Sequence, residues 1–353
     1  MIAAIPTQRR RGSASDTWPR VRLGEVCEIV LGGTPSTHNA SFWGGGIPWL
    51  TPGEMRKLTS RYVEHTKRTL TEAGLAAGSR LCPARSVVLS TRAPIGYVFI
   101  NTVSMATNQG CKTLVPSAAL SPEYLYYNLL GRTDELNALG TGTTFKELAT
   151  GDLKKLLIPL PPLAIQWRIA AKLDLLCDIV AKRKNQLAQL NQLVKSRFVE
   201  MFGDPMTNPK RWPMARLGDR CLITTGNTPS RNEKENYGDF IEWIKSDNLV
   251  DGRLTTASEY LSEIGYGKSR HVGPGSILMT CIAGSLNSIG NSALVDRNVT
   301  FNQQLNAITP YKDDVVFLLW LLQLAKPVLH KGINKTGWLI DGPFISRQSF
   351  YVP

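Results

Sequence analysis

The segment from Ile158 to Pro205 reads IPLPPLAIQWRIAAKLDLLCDIVAKRKNQLAQLNQLVKSRFVEMFGDP, and it decides how the chain is organised. Its proline-rich start can precede a helix but cannot lie inside one. Gly203 and Pro205 predict the end of that helix. Between these limits we expect a single helix from Ala164 to Phe202, which would be roughly 55–60 Å long.

Apolar residues recur along this helix at alternating steps of four and three, which is typical of a helix that packs lengthwise against another helix. We name this set the seam, and it comprises Ile169, Leu173, Leu176, Val180, Leu187, Leu190, Val194 and Met201. Arg183 and Arg197 stand at the two positions where the seam breaks. The basic run 182–184 is either a solvated face or a contact to an acidic partner or DNA.

The charge of the chain favours a polyanionic partner. Its 353 residues are enough for two domains, and the formal net charge is +13. Such a balance favours nucleic acid, with an anionic membrane surface as the less favoured alternative. The longest apolar run, Val315–Leu324, is too short to span a bilayer.

The termini and cysteines indicate a cytoplasmic protein. At the N-terminus the charges follow a very short apolar start, which is the reverse of a secretory signal. We expect residues Met1–Thr17 to form a flexible basic tail. The six cysteines are widely spaced and form no CxxC pair, which suits thiols in a reducing compartment. The four histidines show no zinc-site spacing, so no metal site is predicted.

The chain contains an internal repeat. The stretches Trp18–Glu54 and Trp212–Asn248 follow one pattern at an offset of 194 residues. The shared positions include Leu23 and Leu217, Gly32 and Gly226, Thr34–Ser36 and Thr228–Ser230, and Trp49 and Trp243. The offset slips by four residues in the middle and returns where Asn108-Gln109 matches Asn302-Gln303. At the end, Leu157–Pro159 is expected to match Tyr351–Pro353. The chain is therefore a tandem duplication of one domain.

Each copy is expected to be a mixed domain of strands and helices. The predicted strands are Glu28–Leu31, Ser86–Ser90, Val98–Asn101 and Ser276–Thr280. The predicted helices are Pro122–Leu130, Phe145–Ala149 and, as the partner of the first, Asp314–Leu324. The fold class is thus α+β, with two repeated mixed α/β domains joined by a long coiled-coil-type helix. The expected segments are a tail at 1–17, a first domain at 18–158, the helix region at 159–205 and a second domain at 206–353.

Motifs for catalysis were sought and are missing from the sequence. No (N/D)PP(Y/F) motif of an adenine methyltransferase is present. A phosphate-binding loop near Lys268 fails because Ser262 occupies its first glycine position. No Ser/His/Asp or Cys/His constellation repeats between the copies, so we expect the chain to do no chemistry itself.

These features together resemble the specificity (S) subunits of type I restriction–modification systems. The resemblance rests on the WPxxxLG entry followed by TPS, the IPLPPL-x-x-Q start of the long helix (Ile158–Leu163, Gln166), the EMFGDP exit (Glu200–Pro205) and the repeat itself. It covers residues 18 to 353.

The resemblance implies that each repeat is a target recognition domain for one half of a bipartite double-stranded DNA site. The helix would set the gap between the half-sites and dock methyltransferase (modification) subunits. Those partners would hold S-adenosylmethionine, and a separate restriction/translocase subunit would use ATP and magnesium. This chain would bind no cofactor and no metal.

The sequence departs from the family pattern at its end. Family members usually carry a second LPPL-x-x-Q helix after the second domain, antiparallel to the first. Here the chain stops at Pro353. The favoured interpretation is a truncated version, and the alternative is pairing of the helix in trans with another copy or a separate fragment.

The candidate DNA-contacting residues are of two kinds. Shared turn residues suit phosphate contacts or turn chemistry alone, whereas residues of divergent loops are better candidates for sequence readout. The candidates are Thr34, Ser36, Arg92, Asn108 and Lys112 in the first copy, and Ser230, Arg231, Lys234, Lys245, Asn248, Lys268, Asn302 and Gln303 in the second. The specificity candidates among them are Arg92, Lys112, Arg231, Lys234, Lys245 and Asn248.

Two other functions remain open at this point. The main rival is an interaction scaffold that binds protein through its helix and has lost DNA recognition. A nuclease with an unrecognised site is the third alternative. Salt-dependent DNA binding with a sequence-specific component supports DNA recognition. Assembly through protein contacts without DNA binding supports the scaffold, and cleavage with magnesium alone, abolished by a single carboxylate change, supports the nuclease.

Overall fold

The computed structural model describes residues 18–142, 146–330 and 342–351. The chain divides into two compact units, one extending to Arg183 and the other beginning at Lys184. Each unit contains one copy of the repeat. The predicted tail at 1–17 lies outside the described residues.

The first unit is built from short strands and helices. Its described strands are β1 Arg20–Arg22, β2 Cys27–Leu31, β3 Trp43–Leu50, β4 Tyr62–Val63, β5 Thr69–Leu70, β6 Val87–Thr91, β7 Ile95–Asn101, β8 Ala106–Thr107, β9 Cys111–Pro116 and β10 Leu157–Pro159. Its helices are α1 Leu23–Val26, α2 Pro52–Met55, α3 Glu72–Gly78, α4 Pro122–Leu130, α5 Thr133–Leu139 and α6 Thr150–Lys155.

The second unit repeats this construction after the long helix α7, Leu163–Phe202. Its described strands are β11 Met214–Arg216, β12 Cys221–Thr225, β13 Tyr237–Ile244, β14 Leu249–Val250, β15 Gly252–Leu254, β16 Tyr260–Leu261, β17 His271–Val272, β18 Ile277–Thr280, β19 Ser292–Leu294, β20 Val299–Phe301, β21 Leu305–Pro310 and β22 Ser349–Tyr351. Its helices are α8 Leu217–Arg220, α9 Glu263–Gly267, α10 Val315–Leu324, α11 Lys326–His330 and α12 Gly342–Arg347.

The sheet topology confirms the duplication. In the first unit one sheet has the order β2-β9-β6-β7-β4 and another β5-β3-β8. In the second unit the corresponding orders are β12-β21-β18-β19-β15-β14 and β16-β13-β20-β17. Equivalent strands supply equivalent core residues, such as the fully buried Leu114 and Ile308. The predicted α+β class is therefore confirmed.

The predicted match at the end of the repeat is wrong by two residues. Strand β1 pairs Arg20 with Pro159, and strand β11 pairs Met214 with Tyr351. Pro159 is thus equivalent to Tyr351. A slip of two residues preserves which side chains of a strand face the core. The alternation of residues along the strand therefore fits both alignments.

Two of the three predicted helices are confirmed, and one is not. Helix α4 begins after the cap Ser121, and helix α10 after the cap Asp314, whose Oδ1 accepts from the Phe317 amide at 2.7 Å. The predicted helix at Phe145–Ala149 begins at a residue outside the described part. Its remaining residues are extended, because Glu147 exchanges two backbone hydrogen bonds with Thr141. The helix of this region is α6, which starts at Thr150.

Helix α7 is anchored to each unit by contacts at its ends. Near its start, the buried Gln166 accepts a hydrogen bond from the Ser121 amide at 2.8 Å and donates to the Ala119 carbonyl at 2.9 Å. At its end, Phe198 stacks on Phe317 with ring centroids 5.3 Å apart. The predicted bounds of Ala164 to Phe202 are therefore confirmed to within one residue.

The seam of α7 is largely open within the described residues. Leu176, Val180, Leu187, Leu190 and Val194 are 42–63% exposed. Ile169 is partly buried against the core of the first unit, and Leu173 is half-buried. The first turns of the seam are thus more buried than the rest.

Candidate nucleic-acid interface

The Thr-Pro-Ser turns of the two repeats are held in the same way. Thr34 Oγ1 donates to Gln109 Oε1, and Thr228 Oγ1 donates to Gln303 Oε1. All four side chains are exposed. We name each arrangement the locked turn, because a hydroxyl of one loop fixes an amide of another 75 residues away in both copies.

A glycine allows each locked turn to form. A Cβ atom on Gly32 would lie 2.0 Å from the Asn108 carbonyl oxygen, and one on Gly226 would lie 2.2 Å from the Asn302 carbonyl oxygen. No other residue fits at that distance. The shared glycine therefore reflects close contact of two backbones.

An aromatic pair supports each locked turn. Trp43 and Trp49 meet edge to face with centroids 4.9 Å apart. Their Nε1 groups donate to the carbonyl oxygens of Ser36 at 3.1 Å and Gly33 at 3.0 Å. The first aromatic pair therefore fixes the turn from both ends.

The second repeat has the equivalent aromatic pair, Tyr237 and Trp243, with centroids 6.0 Å apart. The Tyr237 hydroxyl donates to the Pro229 carbonyl at 2.9 Å. Trp243 is 2% exposed, and its Nε1 has no hydrogen-bond partner among the described residues. Trp49 and Trp243 were predicted to be core residues, and their burial confirms this.

Cationic side chains lie on both aromatic pairs. The Arg68 Cζ atom lies 3.6 Å from the centre of the Trp43 ring and 5.2 Å from that of Trp49. In the second repeat, Arg231 Cζ lies 5.2 Å from the Tyr237 ring, and Lys245 Nζ lies 5.0 Å from the Trp243 ring. Such contacts orient the cation and leave its polar edge exposed.

The cations of the second repeat share one carboxylate, that of Glu259. Its Oε2 accepts from Arg231 at 3.0 Å, and its Oε1 pairs with Lys245. These hydrogen bonds, that from Lys245 first, hold the pKa of Glu259 below its usual range. Arg231 and Lys245, two of the predicted candidates, are thus brought together by a residue that sequence reasoning missed.

Arg68 and Glu259 occupy the same position in the two repeats. The Trp49 amide donates to the Arg68 carbonyl at 3.1 Å, and the Trp243 amide donates to the Glu259 carbonyl at 3.0 Å. One structural position therefore carries opposite charges in the two copies. Sequence reasoning missed it because the position lies near the slip in the offset, where an offset of 194 aligns Arg68 with Ser262 instead.

The remaining candidates lie at the surface of their own repeats, and Arg92 among them is half-buried. Ser36 and Ser230 are exposed at the turns, and Lys234 is exposed beside the second turn. Lys268 Nζ pairs with Glu233 at 2.6 Å, and Arg92 pairs with Glu147 at 3.5 Å. These side chains are accessible, although two of them already have carboxylate partners.

Two specificity candidates are corrected, because their side chains are committed to the interior. Lys112 is 2% exposed, and its Nζ donates to the Leu148 carbonyl at 2.6 Å and to Thr91 Oγ1 at 3.2 Å. Burial lowers the pKa of Lys112, partly offset by Glu147. Asn248 is 7% exposed, and its side chain accepts from the Lys245 amide at 3.0 Å and donates to the Thr256 carbonyl at 3.1 Å. A buried side chain does not reach DNA without local unfolding, so we remove both from the interface.

Two shared candidates also have internal roles. Asn302 is 6% exposed, and its Oδ1 accepts from the Gln304 amide at 3.1 Å. In the first repeat, Asn108 Oδ1 accepts from the Gly110 amide at 2.9 Å. Both side chains therefore shape the turn that carries Gln109 or Gln303.

Other kinds of site were sought in the part of the chain that the structure describes. There, no three His, Cys, Asp or Glu side chains are grouped as a metal ion requires. The helices of this part include none that is both long and apolar enough to cross a membrane. Five of the six thiols are buried, and Cys177 is half-buried.

Comparison with known families matches one domain to each repeat. The profile described as the type I restriction modification DNA specificity domain matches residues 15–192 and 209–341. The chain belongs to this specificity family.

Relatives of this chain include specificity subunits of type I restriction enzymes. The specificity subunit of type I restriction enzyme MjaIX from Methanocaldococcus jannaschii is 30% identical over 271 residues, which are 72% of this chain and 63% of that subunit. The EcoBI specificity subunit from Escherichia coli is 25% identical over 367 residues, which are 91% of this chain and 74% of that subunit. This chain therefore spans less than two thirds of the MjaIX subunit.

Solved structures share the fold of this chain. The S subunit of a type I restriction–modification system from M. genitalium aligns with a TM-score of 0.53 over 95% of this chain and 84% of its own, at 15% identity. A chain from a study of complex assembly and conformational transition of the type I R-M system aligns with a TM-score of 0.53 over 99% and 87%, at 21% identity. At these identities the likeness concerns the fold alone.

Proposed function

We propose that the chain is a non-catalytic DNA-recognition subunit in which each repeat reads one half of a bipartite site on double-stranded DNA. Helix α7 sets the gap between the half-sites. One observation carries this proposal: both repeats have the same locked turn, whereas the charged side chains that lie on their aromatic pairs differ. A shared framework suits the uniform DNA backbone, and differing side chains suit two different base sequences.

The charge of the chain supports DNA as the polymer. A net charge of +13 favours association with phosphates and release of their counterions. The exposed locked turns carry hydroxyl and amide groups, which are common phosphate ligands in protein–DNA contacts. Thr34, Ser36 and Ser230 are therefore proposed as backbone contacts, and Arg231, Lys234, Lys245 and Lys268 as further contacts in the second repeat.

The proposed partners are those of a type I complex. Methyltransferase subunits would bind S-adenosylmethionine and dock on α7, and a restriction/translocase subunit would use ATP and magnesium. The buried, unpaired thiols suit a reducing compartment, and we place the complex in the cytoplasm. The exposed seam supports pairing of α7 with a helix from another chain, a second copy being the simplest.

Adenine-methylation mapping tests the main proposal. The chain is co-expressed with a type I methyltransferase subunit in a host that lacks other adenine methylation, and methylated positions are mapped across the genome. We expect a split motif with a fixed gap. Methylation without a split motif, or none in an assembled complex, would contradict bipartite recognition.

Light scattering tests the pairing in trans. We expect the mass of the purified chain to rise from monomer towards dimer at micromolar concentrations. A clean monomer throughout that range would exclude self-pairing through the seam.

A further inference from the structure

We propose that Arg68 reads one guanine of the first half-site by donating two N–H groups to its O6 and N7 atoms. This inference rests on the proposed DNA-recognition function, and it assigns one residue to one base. Three observations support it. Arg68 lies on an aromatic pair, its side chain is exposed, and Glu259 occupies the same position in the other repeat.

The stacking of Arg68 leaves its hydrogen-bonding edge available. A guanidinium that lies over an aromatic ring uses its face for that contact, while its N–H groups point outward in the plane. Arg68 is exposed, and its Cζ lies 3.6 Å from the centre of the Trp43 ring. Trp43 is itself fixed by its hydrogen bond to the Ser36 carbonyl. The fork is therefore oriented before any DNA arrives.

The fork of Arg68 is also uncommitted. Within the described residues no carboxylate pairs with Arg68, whereas Arg231 in the second repeat pairs with Glu259. A planar fork with two parallel donors matches the O6 and N7 acceptors of guanine in the major groove, which is the commonest specific contact of arginine with DNA.

The location of Arg68 argues for a base and against a phosphate. A residue that reads sequence has to differ between repeats that read different half-sites, whereas backbone contacts can be shared. The position of Arg68 carries Glu259 in the second repeat, where its two carboxylate oxygens pair with Arg231 and Lys245. The locked turn beside it is shared. The shared turn is thus suited to contact the DNA backbone, whereas the residue at position 68 is suited to contact a base.

Methylation mapping of matched variants tests the assignment. Arg68→Lys keeps a positive charge over the ring but loses the fork. Arg68→Ala removes both, and Lys67→Ala removes a neighbouring exposed charge that makes no stacking contact. We expect both Arg68 variants to lose the preference for guanine at one position of one half-site by about 5- to 150-fold. The other half-site and the gap stay unchanged, and Lys67→Ala keeps the wild-type motif.

Several outcomes would overturn the assignment. An unchanged motif in Arg68→Lys shows that the fork reads no base. An even loss at all sequences, with a shallower salt dependence of DNA binding, identifies a phosphate contact instead. If Arg68→Ala abolishes methylation through misfolding, the methylation motif of Arg68→Lys decides whether the assignment holds. A wild-type chain without a split motif overturns the proposed function and this inference with it, whereas a wild-type motif that Arg68→Lys leaves intact overturns this inference alone.

Discussion

The guanidinium of Arg61 pairs with the carboxylate of Asp174, 113 residues further along the chain. The pair includes an Nη2–Oδ2 hydrogen bond of 3.0 Å, and the Tyr127 hydroxyl donates to the same carboxylate. Arg61 directly precedes strand β4, and Asp174 lies on α7. This contact therefore fixes the first half of the long helix to the rest of the first unit.

Replacing Asp174 by Asn should loosen that anchor. The side chains of Arg61 and Asp174 are 20% and 35% exposed, so we expect solvent to screen the pair and the loss to be about 1–2 kcal/mol. Hydrogen exchange of the amides at 163–180 measures the loss locally. Asp178→Asn, on an exposed position of the same helix, is the matched control and should change little. Equal exchange in both variants would contradict an anchoring role.

The same pair should make the anchor sensitive to acid. The hydrogen bond from Arg61, with that from Tyr127, holds the pKa of Asp174 below its usual range. A carboxyl whose pKa is lower in the folded state contributes stability above its unfolded pKa and loses it as the pH falls through the folded value. The difference in helix protection between wild type and Asp174→Asn should therefore be full at pH 6 and shrink below about pH 4. A difference independent of pH would argue against the ion pair.

Lys112 should matter for folding rather than for DNA. Lys112→Met leaves the buried Leu148 carbonyl without its donor, so we expect a loss of about 1–3 kcal/mol in the first unit. Chemical denaturation followed by tryptophan fluorescence measures it. Lys57→Met, which removes an exposed charge, should leave stability nearly unchanged. The salt dependence of DNA binding should stay as in wild type for Lys112→Met, and a weaker dependence would restore Lys112 as a phosphate contact.

Tyr351 should hold the end of α7 in the second unit. Its buried hydroxyl donates to the Gly203 carbonyl at 2.8 Å, directly after the helix ends. Tyr351→Phe removes only this bond, and we expect a loss of about 1 kcal/mol in thermal unfolding. Tyr311→Phe is the control, because Tyr311 is 62% exposed. Equal effects of the two changes would contradict the prediction.

The seam should govern assembly and not the folding of either unit. Leu187 and Leu190 are 63% and 56% exposed, so a double change to Glu should alter the unfolding free energy by less than about 0.5 kcal/mol. Burial of two glutamates in a helix pair is costly, so self-association and methyltransferase docking should weaken strongly. Sedimentation measures both. The double variant Asn185→Glu with Gln192→Glu adds the same charge away from the seam and should assemble normally.

The sequence predicted most of the architecture because that information is local or periodic. The steps of three and four in α7 specify a helix, and the matches between Trp18–Glu54 and Trp212–Asn248 specify a duplication. Helices α4 and α10 likewise begin at local caps, Ser121 and Asp314. Each of these features is set by neighbouring residues or by a repeated pattern.

The interior role of Lys112 was decided by tertiary structure. A lysine is ordinarily a surface residue, and only the fold brings Leu148 and Thr91 to its ammonium group. The extended Glu147 likewise follows from its pairing with Thr141 and not from local propensity.

The sequence by itself determined two similar domains, a long helix with an apolar seam, and the Thr-Pro-Ser and Asn-Gln segments of each repeat. Only the tertiary structure decided that Thr34 meets Gln109, that Arg68 lies on Trp43, and that Glu259 takes the place of Arg68 in the second repeat. The physical reason is that side-chain contacts across long separations depend on how loops close, and a shift of a few residues in a loop changes which charges meet.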